Sequence, residues 1–261
     1  MNILPQLLNP IDEVDVERLI NDDDWLAQQK QDGERRLLVK SGNDIIGINK
    51  KGNEVSLPNE IINSINFACD FILDGEIIGN TFHVFDLLMV NDQDLKTIPC
   101  VDRLKYLQTF NFGSHIKIVE TAYTTRDKRI LFDILKRENA EGIVFKRKNS
   151  TYKSGRPNSG GDQLKFKFQK SGTFIVKDHT TGKRSVGLDM LNDKGKRVFL
   201  GKTTIPPNKE IPAIGSFVEV QYLYAFKGGA IFQPVYLKER FDCDLTDVNI
   251  SQLVYKQETE E

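Results

Sequence analysis

The sequence predicts an α+β chain in two parts: a domain of antiparallel sheets with helices, then a small β-barrel. Three observations carry this. Strand-like and helix-like runs are interspersed from Ala27 to Phe168. From Thr173 onward, five strand-like runs follow with no strong helix between them. Turn signals such as Asp193-Lys194-Gly195 and Lys227-Gly228-Gly229 separate those runs. The composition changes near Gln169–Gly172, which divides the chain into 1–170 and 171–261.

In the first part, Ala27–Lys30, Arg35–Lys40 and Asp44–Asn49 read as strands, with turns at Asp32-Gly33 and Ser41-Gly42-Asn43. Asn59–Phe67 and Val101–Phe110 read as helices. Phe71–Ile78 and Phe82–Leu87 read as a hairpin around Gly79-Asn80. In Lys128–Glu138, Ile130, Leu131, Ile134 and Leu135 suggest one apolar helix face. Gly142–Lys146 and Leu164–Phe168 read as strands flanking a loop, Asn149–Gln163, rich in Gly, Ser, Asn and Pro. In the second part, Thr173–Lys177, Ser185–Leu191, Arg197–Leu200, Phe217–Tyr224 and Ile231–Lys238 suit a Greek-key barrel of the OB type.

Hydrophobic residues make up 39% and charged residues 28%, as in soluble globular proteins. No run has the length of a membrane-spanning helix, and the first residues lack a signal-peptide pattern. A cytoplasmic protein, monomeric and away from membranes, is expected. The cysteines Cys69, Cys100 and Cys243 and the histidines His83, His115 and His179 show no metal-ligand spacing.

Net charge is −1, but its distribution is uneven. Asp12, Glu13, Asp15, Glu17, Asp22, Asp23 and Asp24 face Arg18 alone. Between Lys146 and Lys170, eight cations face Asp162 alone. Such a basic stretch is either the footprint of a phosphate backbone or a solvated face.

Lys30-Gln31-Asp32-Gly33-Glu34-Arg35 lies on a turn between two strands. A lysine there serves as a nucleophile if nearby cations favour its neutral amine. Gly33 permits close backbone approach. The plain alternative is a solvated strand end. On the expected hairpin, Asp74 faces Phe85 and Glu76 faces His83, with all four side chains on one face. One carboxylate and one aromatic ring there suit a ribose and its base. Lys165 and Lys167 alternate with Leu164, Phe166 and Phe168, so both ammonium groups share a face that attracts phosphate. A polar outer strand face is the plain alternative.

Together the ordered motifs resemble the covalent nucleotidyltransferases, and among them the ATP-dependent DNA ligases. Lys30–Arg35 resembles the nucleophile motif, Leu73-Asp74-Gly75-Glu76 the third motif, and Val84-Phe85-Asp86-Leu87 the aromatic motif after it. Glu141–Lys146 resembles the fourth, Leu164–Lys167 the fifth, and Pro234–Asp242 the sixth. The resemblance implies a nucleotidyltransferase (adenylation) domain before an OB-type barrel. It implies that Lys30 takes AMP from ATP and that Arg35 and Glu76 hold the ribose. Phe85 would stack on adenine and Gln28 would read its amino edge. Glu141, with Glu76, would support Mg²⁺, with Mn²⁺ as a substitute. Lys165 and Lys167 would grip the α-phosphate, and Arg240 and Asp242 would orient pyrophosphate. Lys50, in Asn49-Lys50-Lys51-Gly52, stands where the family has arginine, keeping charge but not the bidentate geometry. Cys243 stands where the family usually has lysine.

The substrate so implied is nicked duplex DNA. Lys153 and Arg156 in the loop are the first candidates to grip it, followed by Lys183, Arg184 and Lys227 in barrel loops. An RNA ligase or mRNA capping guanylyltransferase shares the lysine chemistry, but Arg35 and Pro234–Asp242 favour DNA ligase. A non-enzymatic DNA-end-binding module leaves Lys30, Glu76, Glu141, Lys165 and Lys167 without a reason to occur together. An unrelated α/β protein with an OB-type RNA-binding barrel leaves the motif order unexplained.

Overall fold

The computed structural model describes residues 3–138, 140–168 and 170–256. Gln169, at the expected boundary, and Gln257–Glu261, most of the polar tail, lie outside the described residues. The chain divides into two compact units, Met1–Phe168 and Gln169–Glu261.

Two sheets build the first unit. One has five strands in the order Asn9–Pro10, Gln163–Lys167, Gly142–Arg147, Trp25–Lys30, Thr121–Ala122. The other runs Glu54–Val55, Asp44–Asn49, Glu34–Ser41, Phe71–Ile78, Thr81–Val90, Gln93–Asp94, with Ile116–Ile118 parallel to Thr81–Val90. Helix Cys100–Leu107 packs Cys100, Leu104 and Leu107 into a core with Phe71, Leu73, Phe82 and Val84. On the first sheet, helices Glu13–Asn21 and Thr125–Arg137 cover Trp25, Ala27, Ile143 and Phe145.

Several sequence expectations change. The acidic run holds a helix: Val16, Leu19 and Ile20 make its buried stripe, and Glu13 and Asp15 sit in its first turn, where negative charge favours the helix dipole. The expected helix Asn59–Phe67 shortens to Asn59–Ile62. In Thr125–Arg137 the buried face is Lys128, Phe132 and Leu135, while Ile130 is exposed. Lys128 can turn inward because its Nζ donates to three carbonyl oxygens, those of Leu19, Asp22 and Trp25, at 3.0, 2.6 and 2.9 Å. A buried ammonium costs little only when its donors are satisfied in this way.

The hairpin register also differs. Ile78 pairs with Thr81 and Glu76 with His83, but shifts near Asp74 and Leu73 place Asp74 opposite Asp86, not Phe85. Such bulges re-aim side chains beside functional sites.

The loop Asn149–Gln163 is tied to the N-terminal segment. Gln6 forms an isolated bridge with Gly155. The Leu7 amide donates to the Gly155 carbonyl at 2.8 Å, and Arg156 Nη1 to the Leu8 carbonyl at 2.8 Å. Tyr152 is buried with Ile3, Leu37, Ile48, Ile72 and Leu88 on the back of the second sheet.

The second unit has one antiparallel sheet of OB type, ordered Arg197–Thr204, Ser185–Leu191, Ser171–His179, Phe217–Gln221, Val235–Arg240. A two-stranded pair, Tyr224–Ala225 with Ile231–Phe232, accompanies it. Its core gathers Phe174, Val176, Val186, Leu188, Val218 and Val220. Among the described residues, no helix is long and apolar enough to cross a membrane.

Candidate active site

The strand ending at Lys30 pairs with the strand starting at Gly142, with Lys30 opposite Gly142. A Cβ on Gly142 would come within 2.1 Å of the Phe166 carbonyl oxygen, so no side chain fits there. This close pairing brings three sequence-distant residues together. Lys30 Nζ lies 2.6 Å from Glu141 Oε2, and Lys167 Nζ lies 3.1 Å from Glu141 Oε1. Lys165 belongs to the same cluster. Burial, then the charges of Lys167, Lys30 and Arg156, push its ammonium down to about 7.

A cleft opens beside Lys30, lined by Gln28, Arg35, Glu76, Phe85, Val144 and Lys146 among others. Glu76 Oε2 accepts the Gly33 N–H at 3.0 Å. A Cβ on Gly33 would stand 2.5 Å from the Ile77 carbonyl oxygen, which explains the glycine. Burial raises the Glu76 carboxyl above its ordinary value, against the pull of Lys30 and Arg35. Arg35 grips Asp74 through Nε and Nη2, at 2.6 and 2.7 Å. Its guanidinium carbon stands 4.5 Å from the Phe85 ring centroid, within cation–π range. Phe85 is thus a wall of the cleft and is only half-buried. Gln28 donates to Thr121 Oγ1 at 2.8 Å, while its buried Oε1 has no partner among the described residues. An acceptor left in this way suits a ligand amine.

Other expected residues lie elsewhere. Lys50 sits on a turn tied by Asn49, whose side chain accepts from the Lys51 and Asn53 amides, and it does not line the cleft. Lys153 pairs with Asp162 at 3.0 Å. Arg184 donates to the carbonyls of Ile205, Pro206 and Lys209, so it ties a barrel loop together. Lys183 and Lys227 are exposed. In the second unit, Arg240 meets Asp242 through two bonds of 2.7 Å and Glu219 at 3.3 Å.

The basic stretch is not one solvated face. Lys146 is buried, donates to the Phe85 carbonyl at 2.7 Å, and lies 4.8 Å from that ring's centroid. Burial lowers its ammonium below the ordinary value, with Asp86 opposing. In the sequence, Lys146 closes the Glu141–Lys146 motif with no role of its own, and no pattern there marks Gln6 or Tyr152.

Residues 79–167 match the family model described as the ATP dependent DNA ligase domain. The SPbeta prophage-derived DNA ligase-like protein LigB of Bacillus subtilis (strain 168) is 25% identical over 176 residues, 58% of this chain and 63% of that protein. Over residues 79–167 the chain is similar to the ATP-dependent DNA ligases. The matched ligase region contains Phe85, Glu141, Lys165 and Lys167, while Lys30 and Arg35 precede it. The LigB match spans just under two thirds of that relative's length. Two solved structures share the ligase fold. A mycobacterial DNA ligase D complexed with ATP and MES has a TM-score of 0.70 at 19% identity, covering 95% of this chain and 98% of that one. The ligase domain of M. tuberculosis LigD has a TM-score of 0.54 at 17% identity, with the same coverage.

Proposed function

We propose that this chain is an ATP-dependent DNA ligase that seals nicks between a 5′-phosphate and a 3′-hydroxyl. The observation that carries this is the Lys30–Glu141–Lys167 cluster at the edge of a cleft walled by Phe85, Arg35 and Glu76. Phe85 stacks on adenine, the unpartnered Gln28 Oε1 accepts from its amino group, and Glu76 and Arg35 hold the ribose. Lys165 and Lys167 hold the α-phosphate. Lys30 Nζ attacks that phosphorus as an amine; a nitrogen–phosphorus bond forms, the bond to pyrophosphate breaks, and AMP stays on the enzyme. Glu141 Oε2, at 2.6 Å, is placed to take the Lys30 proton. The AMP then passes to the 5′-phosphate of the nick, and the 3′-hydroxyl displaces it.

Glu141 and Glu76 fit a divalent cation of the Mg²⁺ type, which uses one or two carboxylates and completes its shell with phosphate oxygens and water. Mg²⁺ or Mn²⁺ would neutralise phosphate charge there. Arg240 and Asp242 orient pyrophosphate, and the enzyme works as a cytoplasmic monomer in DNA repair, replication or recombination.

Incubation with radiolabelled ATP and Mg²⁺, followed by denaturing electrophoresis, tests the first step. The labelled protein should then seal a nicked DNA duplex. Labelling by GTP instead, or sealing of RNA alone, overturns the reading.

A further inference from the structure

We propose that Tyr152 is a positioning residue for this chemistry, fixing the Arg35 guanidinium against Phe85 by way of Asp74. The inference rests on reading the cleft as an ATP site.

The hydrogen bonds form a closed ring. The Gln6 N–H donates to the Tyr152 hydroxyl at 2.7 Å. That amide has only a proton to offer, so the hydroxyl accepts there and keeps its own proton for Asp74 Oδ2, also at 2.7 Å. Asp74 accepts from Arg35 Nε and Nη2 at 2.6 and 2.7 Å. Arg35 Nη2 returns to the Gln6 carbonyl at 3.2 Å, which closes the ring on the residue where it began. Every link therefore has one direction of donation, and the guanidinium plane is set by two partners on two different strands or segments.

Asp74 and Tyr152 are both buried, and neither lines the cleft. Only Arg35 reaches it. Nε and Nη2 make its hydrogen bonds to the described residues, which leaves the Nη1 edge for a ligand. Without the hydroxyl, Asp74 keeps its charge pair but loses the partner that stops carboxylate and guanidinium from turning together. Gln6 is itself held, since its side-chain oxygen accepts from the Lys153 amide and from Gln163 Nε2, both at 3.2 Å. The loop Asn149–Gln163 thus sets the cleft from behind.

A purely structural role is the competing account, because the Tyr152 ring packs with Ile3, Leu37, Ile48, Ile72 and Leu88. Tyr152→Phe separates the two, since it keeps the ring and removes the hydroxyl. In the full chain, the ATP concentration for half-maximal self-adenylation should rise about tenfold with the maximal rate within about threefold, as for one missing hydrogen bond to a charged group. The Arg35 Nε–H resonance, assigned by its disappearance in Arg35→Lys, should exchange with water at least several-fold faster. Phe132→Leu, on a helix away from the ring, supplies a variant of comparable thermal loss. The proposal is overturned if Tyr152→Phe leaves both readouts unchanged, or shifts them no more than Phe132→Leu does. If the unmodified chain takes no label from ATP, the ATP reading falls, while the Arg35 exchange rate still decides whether Tyr152 holds Arg35.

Discussion

Lys30 Nζ lies 2.6 Å from Glu141 Oε2, so the candidate nucleophile rests directly against its candidate proton acceptor. The other oxygen of that carboxylate holds Lys167 at 3.1 Å. One acidic side chain therefore keeps two cations close, in a place where a third, Lys165, is already discouraged from carrying charge.

The first prediction follows from that pair. Lys30→Ala should remove all labelling by ATP, because no other group can form the phosphoramidate. Glu141→Gln should slow self-adenylation by about 10²-fold or more, the usual worth of a positioned proton acceptor, with a normal melting temperature. Single-turnover labelling measures both. A Glu141→Gln rate within threefold of the unmodified chain would reduce Glu141 to a structural tie.

Lys165 gives a prediction in pH. Its folded value, about 7, lies below the ordinary 10.5. Between these values the unfolded chain binds a proton that the folded chain does not, so stability rises with pH across the window. The contribution is complete above the unfolded value and is lost as pH falls through the folded one. Lys165→Met should flatten that rise, seen as a smaller change in melting temperature from neutral pH to about 10. Phosphate should restore the ammonium, so ATP binding above pH 7 should take up a proton, and Lys165→Met should abolish the uptake. Calorimetry in buffers of different ionisation enthalpy reads it directly.

The buried pair Asp86–Arg103 is the strongest stability prediction. Both are almost wholly inaccessible, and Arg103 Nε and Nη2 meet Asp86 at 2.8 and 2.9 Å. Arg103 Nη1 adds the Ile98 and Ser150 carbonyls. Arg103→Ala should cost about 3–5 kcal/mol, because an unpaired buried carboxylate remains. Since Asp86 follows Phe85, adenylation should weaken as well. A denaturation midpoint near that of the unmodified chain would show that the site relaxes around the substitution.

Much of this was legible in the sequence, for identifiable reasons. Lys30, Glu76, Phe85, Glu141 and Lys167 stand on or beside regular strands, where alternation fixes facing, and the structure gathers them. Glu13–Asn21 was obscured because its charges outnumber its three buried apolar residues. The Asp74–Asp86 pairing depends on a bulge, and a bulge shifts register without leaving a periodic signature. Tyr152 lay unseen because its partners, Gln6 and Asp74, are separated from it by 146 and 78 residues. A hydrogen-bond ring built on one backbone amide and one carbonyl has no residue pattern to read.

The last prediction concerns the grip on DNA. Lys153 is exposed and pairs with Asp162, and Arg156 is exposed and donates to the Leu8 carbonyl. Both bonds are open to solvent, where such contacts are worth little. A phosphate could replace Asp162 or Leu8 as partner at small cost, and the loop need not move far, because Gly155 and Tyr152 tie it at two points. Neutralising both, with Lys153→Gln and Arg156→Gln, should weaken nicked-duplex binding regardless of flanking sequence, since phosphate pairing carries no base information. The slope of log K against log salt should flatten by about 0.9 for each phosphate no longer engaged. Self-adenylation should change less than nick sealing, because neither side chain lines the cleft, although Arg156 is one of the charges acting on Lys165. Fluorescence anisotropy across a salt series makes the measurement. An unchanged slope with unchanged sealing would assign the loop to holding Arg35 from behind and would turn attention to the exposed barrel cations Lys183 and Lys227.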